Sequence, residues 1–263
     1  MHGTLTWGTQ CYAEQRPLAR RSRLLVPDRR GFGASPDIDD PKWTSDYAVD
    51  AEDVLGLLSA TRAHLVGHSY GGVVAMLAAA ASPDLVRSLT LIEPSAHMAA
   101  IDDPTVAAAV ESSRAFMAGA RQATPADYLR LAFDDAGPSR PEPAAWLNRA
   151  ARTALGERPC WLADIPITPL VRATFPKLVI TGAWDVEAPG YPPGTGDVLQ
   201  LVAATVADKI KADLVRIPAP PSRGERPAHQ HVERLERRPR TQSVDGSAGL
   251  AGDEVELWIT ATR

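Results

Sequence analysis

Residues 63–72 read AHLVGHSYGG, an apolar run that closes on a G-x-S-x-G and passes into the alanine-rich stretch 73–81. A serine hydroxyl is a poor nucleophile near neutral pH. To attack a carbonyl it needs a base to take its proton and an acid to hold that base in one tautomer. The order strand, serine turn, helix is the setting in which Ser69 would stand exposed at the apex of a strained turn. Gly67, Gly71 and Gly72 supply positions where a Cβ would obstruct such a turn. A lone G-x-S-x-G also arises by chance, as a glycine-rich turn with a surface serine, so the surrounding chain has to decide.

The elements that would position Ser69 alternate as a parallel sheet with covering helices requires. Val49, Val54, Leu57 and Leu58 have helical spacing within 46–59, ahead of a strand over 63–66. Further strands are read at 86–92, 177–182 and 213–217, with a helix over 197–211 between the last two. From 95 to 172 the chain turns to alanine-rich amphipathic stretches, 106–120 and 126–133 among them, punctuated by Pro104, Pro125, Pro138, Pro141 and Pro143. That composition predicts a helical segment over the sheet. No internal repeat is present.

Three segments, in this order, resemble the α/β-hydrolase family. His2-Gly3-Thr4 is similar to the H-G-x loop that follows the family's third strand. Residues 24–28 and then Arg29-Arg30-Gly31-Phe32-Gly33-Ala34-Ser35 are similar to its fourth strand and D-x-R-G-F-G-x-S loop. The serine turn is the third, and together they cover about the first third of the chain. The resemblance implies an α/β fold: a mostly parallel sheet flanked by helices, its core formed by 1–94 and 173–240, a helical lid inserted over 95–172, and a disordered tail at 241–263. In the family a central strand and an edge hairpin precede the H-G loop. None of the three strands occurs here, so the first strands are expected to be absent, which leaves an upstream start or a sheet with unpaired backbone groups. Within the tail, 254–260 is expected to be at most a stray edge strand.

By the same resemblance, the triad follows the chain order Ser, acid, His. Asp185, in Gly182-Ala183-Trp184-Asp185 after a strand, matches the acid position; a solvated loop aspartate or helix cap is the alternative. Glu93, after the preceding strand, is the fallback acid or a rim residue. The loop 217–223, IPAPPSR, has no histidine where the base is expected. His229 and His231 come next, on a helix read over 227–238, and His229 is the choice for base because the first turn stays nearer the sheet. Two solvated surface histidines are the competing reading. His68 is expected to support the serine turn, His2 to shape its loop, and His64 and His97 to be structural or exposed. The backbone N–H groups of Thr4 and Tyr70 would form the oxyanion hole. Asp28, Arg29 and Arg30 are read as a hydrogen-bond network bracing their loop.

The 263 residues carry 44% hydrophobic residues, enough for one large domain. A net charge of -4 and a pI near 5.9 argue against nucleic acid or an anionic membrane as partner. Cys11 and Cys160 suit reduced thiols in the cytoplasm, and neither has metal-ligand spacing. No apolar run reaches membrane-spanning length. The expectation is therefore a cytoplasmic serine hydrolase cleaving an ester or similar small-molecule acyl substrate through an acyl-enzyme at Ser69, with no cofactor or metal and oligomeric state left open. Trp146, Phe116, Met117 and Trp161 would shape an acyl pocket or else pack helices. The alternative is a degenerate, non-catalytic binding protein, argued from the empty base position.

Overall fold

A computed structural model describes residues 1–120, 123–133, 140–184, 192–218 and 257–259. Its sheet has six strands: β1 (Arg23–Leu24), β2 (Ala63–His68), β3 (Val86–Ile92), β4 (Lys177–Gly182), β5 (Asp213–Ile217) and β6 (Leu257–Ile259). Their spatial order is β1-β6-β2-β3-β4-β5, and every pairing is parallel. The α-helices among the described residues are α1 (Gly8–Cys11), α2 (Tyr47–Leu58), α3 (Tyr70–Ala81), α4 (Pro104–Ala120), α5 (Pro125–Ala132), α6 (Ala144–Leu155), α7 (Ile167–Arg172) and α8 (Thr195–Ile210). The α/β architecture read from the sequence is the one observed.

Both faces of the sheet are covered, which is why its strands are apolar on consecutive positions. Leu65, Leu89, Leu91 and Val179 enter the larger core with α2, α3 and α8. Their neighbours Val66, Ile92 and Ile180 point the other way, against Cys11, Tyr12 and Ile217. Helix α8 presents Val202, Ala203, Val206, Ala207 and Ile210 to the larger core, a three-and-four spacing that buries one stripe. Asp46 caps α2 by accepting from the Ala48 N–H at 2.8 Å, which satisfies one of the N–H groups that the first turn leaves without an intrahelical partner.

Two expectations change. The strand read over residues 24–28 pairs only at Arg23–Leu24. Pro27 has no N–H to give a ladder, and the Asp28 carboxylate turns to the loop, accepting from Gly8 N at 2.7 Å and Ala34 N at 2.9 Å. At the other end, 257–259 is no edge strand. It pairs with β1 through Arg23↔Leu257 and with β2 through Leu65↔Ile259, inside the sheet. The Met1 backbone continues that lane along β2, its amine donating to Val66 O at 2.5 Å and its carbonyl accepting from His68 N at 3.1 Å. The lane beside β2 on the side away from β3 is thus filled by β6 and Met1, because main-chain pairing is indifferent to chain order. The rest of the 241–263 tail, and the helix read over 227–238, lie outside the described residues.

Both cysteines are free and buried. Among the described residues no helix is long and apolar enough to cross a membrane.

Candidate active site

Ser69 sits between β2 and α3 with φ 52° and ψ -118°, a conformation that L-residues avoid unless the surroundings enforce it. The enforcement is visible on every side. Ser69 N donates to Ile92 O at 2.9 Å, and its carbonyl accepts from Gly72 N at 2.9 Å and Ser95 N at 3.1 Å. A Cβ on Gly67 would come within 2.3 Å of Gly71 O, and one on Gly71 within 2.2 Å of Met1 O. Glycine at both positions is therefore a steric requirement of this turn.

The loop at His2-Gly3-Thr4 lies directly against this turn: a Cβ on Gly3 would be 3.1 Å from the Ser69 Cβ. His2 is fully buried. Arg29 N donates to its Nε2 at 2.8 Å, so the proton must be on Nδ1, which donates to Gly3 O at 2.8 Å. Burial, with Arg29 and the N-terminal amine nearby, pushes the His2 pKa well down, so the ring stays neutral in that one tautomer. His2 shapes its loop, as read from the sequence.

Arg29 is the hub behind that loop. Its guanidinium reaches Asp50 at 3.2 Å, Glu157 at 2.5 Å, Ser45 Oγ at 3.2 Å and Gly3 O at 3.2 Å, and stacks 3.8 Å from the Tyr70 ring centre. Burial alone would lower the Arg29 pKa, but Glu157 and Asp50 more than offset it, and the group is held cationic. Burial raises Asp50 to about 6, against the opposing pull of Arg29. Arg30 makes a two-pronged pair with Asp53 at 2.6 and 2.7 Å. The bracing network read for Asp28, Arg29 and Arg30 is what these bonds form.

Facing the serine from the other side, the Ser69 hydroxyl lies 3.1 Å from that of Ser95, just past β3. Burial pushes the thiol of Cys160 up to about 12 even though it hydrogen-bonds Ser95, so it stays protonated. Glu93, at φ 44°, accepts with one carboxylate oxygen from Gly182 N at 2.9 Å and from Trp184 Nε1 at 2.8 Å. That carboxylate ties β3 to the end of β4. His64 Nδ1 is 2.7 Å from Ser88 Oγ. His97 is mostly buried, which lowers its pKa, and its ring hydrogen-bonds the Ser95 backbone.

The structure brings Ser69, Tyr70 and the Gly3-Thr4 loop together. Asp185, His229 and His231 lie outside the described residues, although the chain leading to Asp185 is fixed as far as Trp184, with Ala183 N donating to Ile217 O at 2.7 Å. Trp146 packs edge-on against Trp7 at 5.6 Å, Trp161 packs on the larger core, and Phe116 is exposed. Ser95 and Glu157 are the participants that sequence reasoning missed. Ser95 carried a weak signal as a hydroxyl just past a strand end, and Glu157 carried none. No group of three or more metal-ligating side chains occurs among the described residues.

Residues 1–127 match the family model described as alpha/beta hydrolase fold. Over 76 residues the chain is 41% identical to the 2-hydroxymuconate semialdehyde hydrolase of Pseudomonas sp. (strain CF600), which is 28% of this chain and 27% of that protein. Over 124 residues it is 33% identical to the 2-(acetamidomethylene)succinate hydrolase of Mesorhizobium japonicum, 43% of this chain and 45% of that protein. The matched stretches thus span less than half the length of either relative. Among solved structures, a thermophilic esterase from Thermogutta terrifontis aligns over 82% of this chain and 79% of its own, with a TM-score of 0.54 and 25% identity. A hydrolase from Pseudomonas aeruginosa aligns over 82% and 78%, with a TM-score of 0.51 and 28% identity. With its serine turn, its H-G loop and the parallel sheet that carries them, the chain has the alpha/beta hydrolase fold.

Proposed function

We propose that this chain is a serine hydrolase that cleaves a carboxylic ester or similar small-molecule acyl substrate through an acyl-enzyme at Ser69. One observation carries the reading: Ser69 is held at φ 52° at a strand-to-helix turn, with the Gly3 backbone packed against its Cβ. Strain of that kind is maintained only where the surroundings over-determine it, and it clusters at reactive positions. The names of the relatives point the same way, since they include hydrolases and an esterase.

In this reading the Ser69 Oγ bonds to the substrate carbonyl carbon and its proton passes to His229, oriented by Asp185. The negative charge that moves to the carbonyl oxygen is met by the N–H groups of Thr4 and Tyr70. Tyr70 is the first residue of α3, where N–H groups lack intrahelical partners and the helix dipole favours an anion. Collapse of the intermediate expels the alcohol with the proton from His229. Water then adds by the same route, and the acid leaves Ser69 free. The helical segment between β3 and β4 serves as the lid over the acyl group.

Labelling of the purified protein with a fluorophosphonate probe tests this reading. Wild type is expected to take the label and Ser69→Ala, with an unchanged circular-dichroism spectrum, to take none. His229→Ala is expected to label slower by several powers of ten, the usual cost of removing the base. A folded wild type that takes no label overturns the proposal in favour of a non-catalytic member of the family.

A further inference from the structure

Glu157 is a carboxylate with 6% of its surface exposed, in the short link after α6, far in sequence from the groups its side chain bonds. Its two oxygens do different work. Oε1 takes the Arg29 guanidinium at 2.5 Å, while Oε2 accepts from the Thr4 hydroxyl at 2.7 Å. The link itself is pinned to the segment before α2: Ser45 and Glu157 form a parallel bridge, Arg158 N donates to Ser45 O at 2.8 Å, and Thr44 N donates to Gly156 O at 2.9 Å. The same Arg29 that clasps Glu157 also donates to Gly3 O. Gly3 and Thr4 are therefore held from both ends, by Arg29 through a backbone carbonyl and by Glu157 through a side chain.

Burying a carboxylate is costly, and a nearby arginine only partly compensates. Asp50 already faces Arg29, so a second buried carboxylate adds a charge that the single guanidinium does not balance. What the second carboxylate adds is the bond to Thr4. Leu5, the next residue, sits at φ 60°, so the loop leaves Thr4 through a strained turn that has to be held in place.

We propose that Glu157 is a positioning residue: anchored by Arg29, it grips the Thr4 hydroxyl and so aims the Thr4 N–H at the carbonyl oxygen of a substrate on Ser69, coupling the helical segment between β3 and β4 to the oxyanion site. The inference rests on the serine-hydrolase reading above. Positioning of a backbone donor acts on the charge that develops in the transition state, so it governs kcat and leaves KM in place.

The test is turnover of 4-nitrophenyl acetate by wild type, Thr4→Val, Thr4→Ser and Glu157→Gln, with kcat expressed per site titrated by the fluorophosphonate. Thr4→Val removes only the hydroxyl and keeps the shape of the side chain, so it reports even where Glu157→Gln folds poorly. The expected result is a kcat per site about tenfold lower in Thr4→Val, less than the full loss of an oxyanion donor, with KM unchanged and most of the loss recovered in Thr4→Ser. Glu157→Gln is expected to fall in the same sense. A Thr4→Val protein whose kcat per site equals that of wild type, whatever its fraction of folded sites, overturns the positioning role and leaves the serine-hydrolase reading standing. A wild type that neither labels nor turns over withdraws both.

Discussion

Two charged residues stand on opposite sides of Ser69, and they are held in different ways. Arg29, behind the Gly3 loop, is completely buried and bonds two carboxylates, a serine hydroxyl and a backbone carbonyl. Glu93, at the end of β3, has its carboxylate on two neutral donors, Gly182 N and Trp184 Nε1, at a half-buried position. The first side is an ionic cluster in which each partner depends on the others; the second is a pair of hydrogen bonds that water can partly replace. A buried charge that loses its partner keeps its desolvation cost, whereas a half-exposed hydrogen bond that is lost is exchanged for one to solvent.

Removing the centre of the ionic side should have the largest effect. Arg29→Met leaves Asp50 and Glu157 buried without their cation and is expected to destabilise the fold by about 3–5 kcal/mol, read from the urea midpoint. A loss below about 1 kcal/mol would mean that the two sides do not differ as argued.

The next effect is a pH dependence. Burial raises Asp50 from 3.8 to about 6, so the folded state holds its proton more tightly than the unfolded chain does. Its contribution to stability is present in full below about pH 4 and declines as pH rises through 6. The stability of wild type minus that of Asp50→Asn should therefore fall across that window, by up to about 3 kcal/mol, in thermal melts at matched pH values. A difference that grows with pH would reverse the sign and remove the argument.

The smallest effect belongs to the other side. Trp184→Phe deletes one donor to Glu93 and keeps the ring, and a loss of about 1 kcal/mol is expected in the same denaturation assay. If it matched Arg29→Met, Glu93 would have to be as tightly coupled as the ionic cluster.

Much of the side around Ser69 was legible beforehand, because its requirements are local. Gly67 would strike the nearby Gly71 backbone, and the same ten-residue pattern carries strand, turn and helix start, whereas the clash of Gly71 with Met1 is one that only the fold brings about. Asp28 and Arg29 were readable as a brace because the brace closes largely within their own loop and the next helix. The alternation of strands with helices along the chain marked a parallel sheet with covering helices, and the consecutive apolar positions of β2, β3 and β4 fit a sheet covered on both faces.

Chain order and local pattern by themselves determined the α/β class and the serine turn, since these depend chiefly on residues within a few positions of one another and on the backbone geometry those residues permit. Only the tertiary structure decided that Glu157 would bond Thr4 and Arg29 across 153 and 128 residues of chain, that Ser95 would meet Ser69, and that 257–259 would take a lane inside the sheet. Such pairings leave no periodicity or motif, because a carboxylate destined for a buried arginine and one destined for solvent are the same letter until the fold removes the water from one of them.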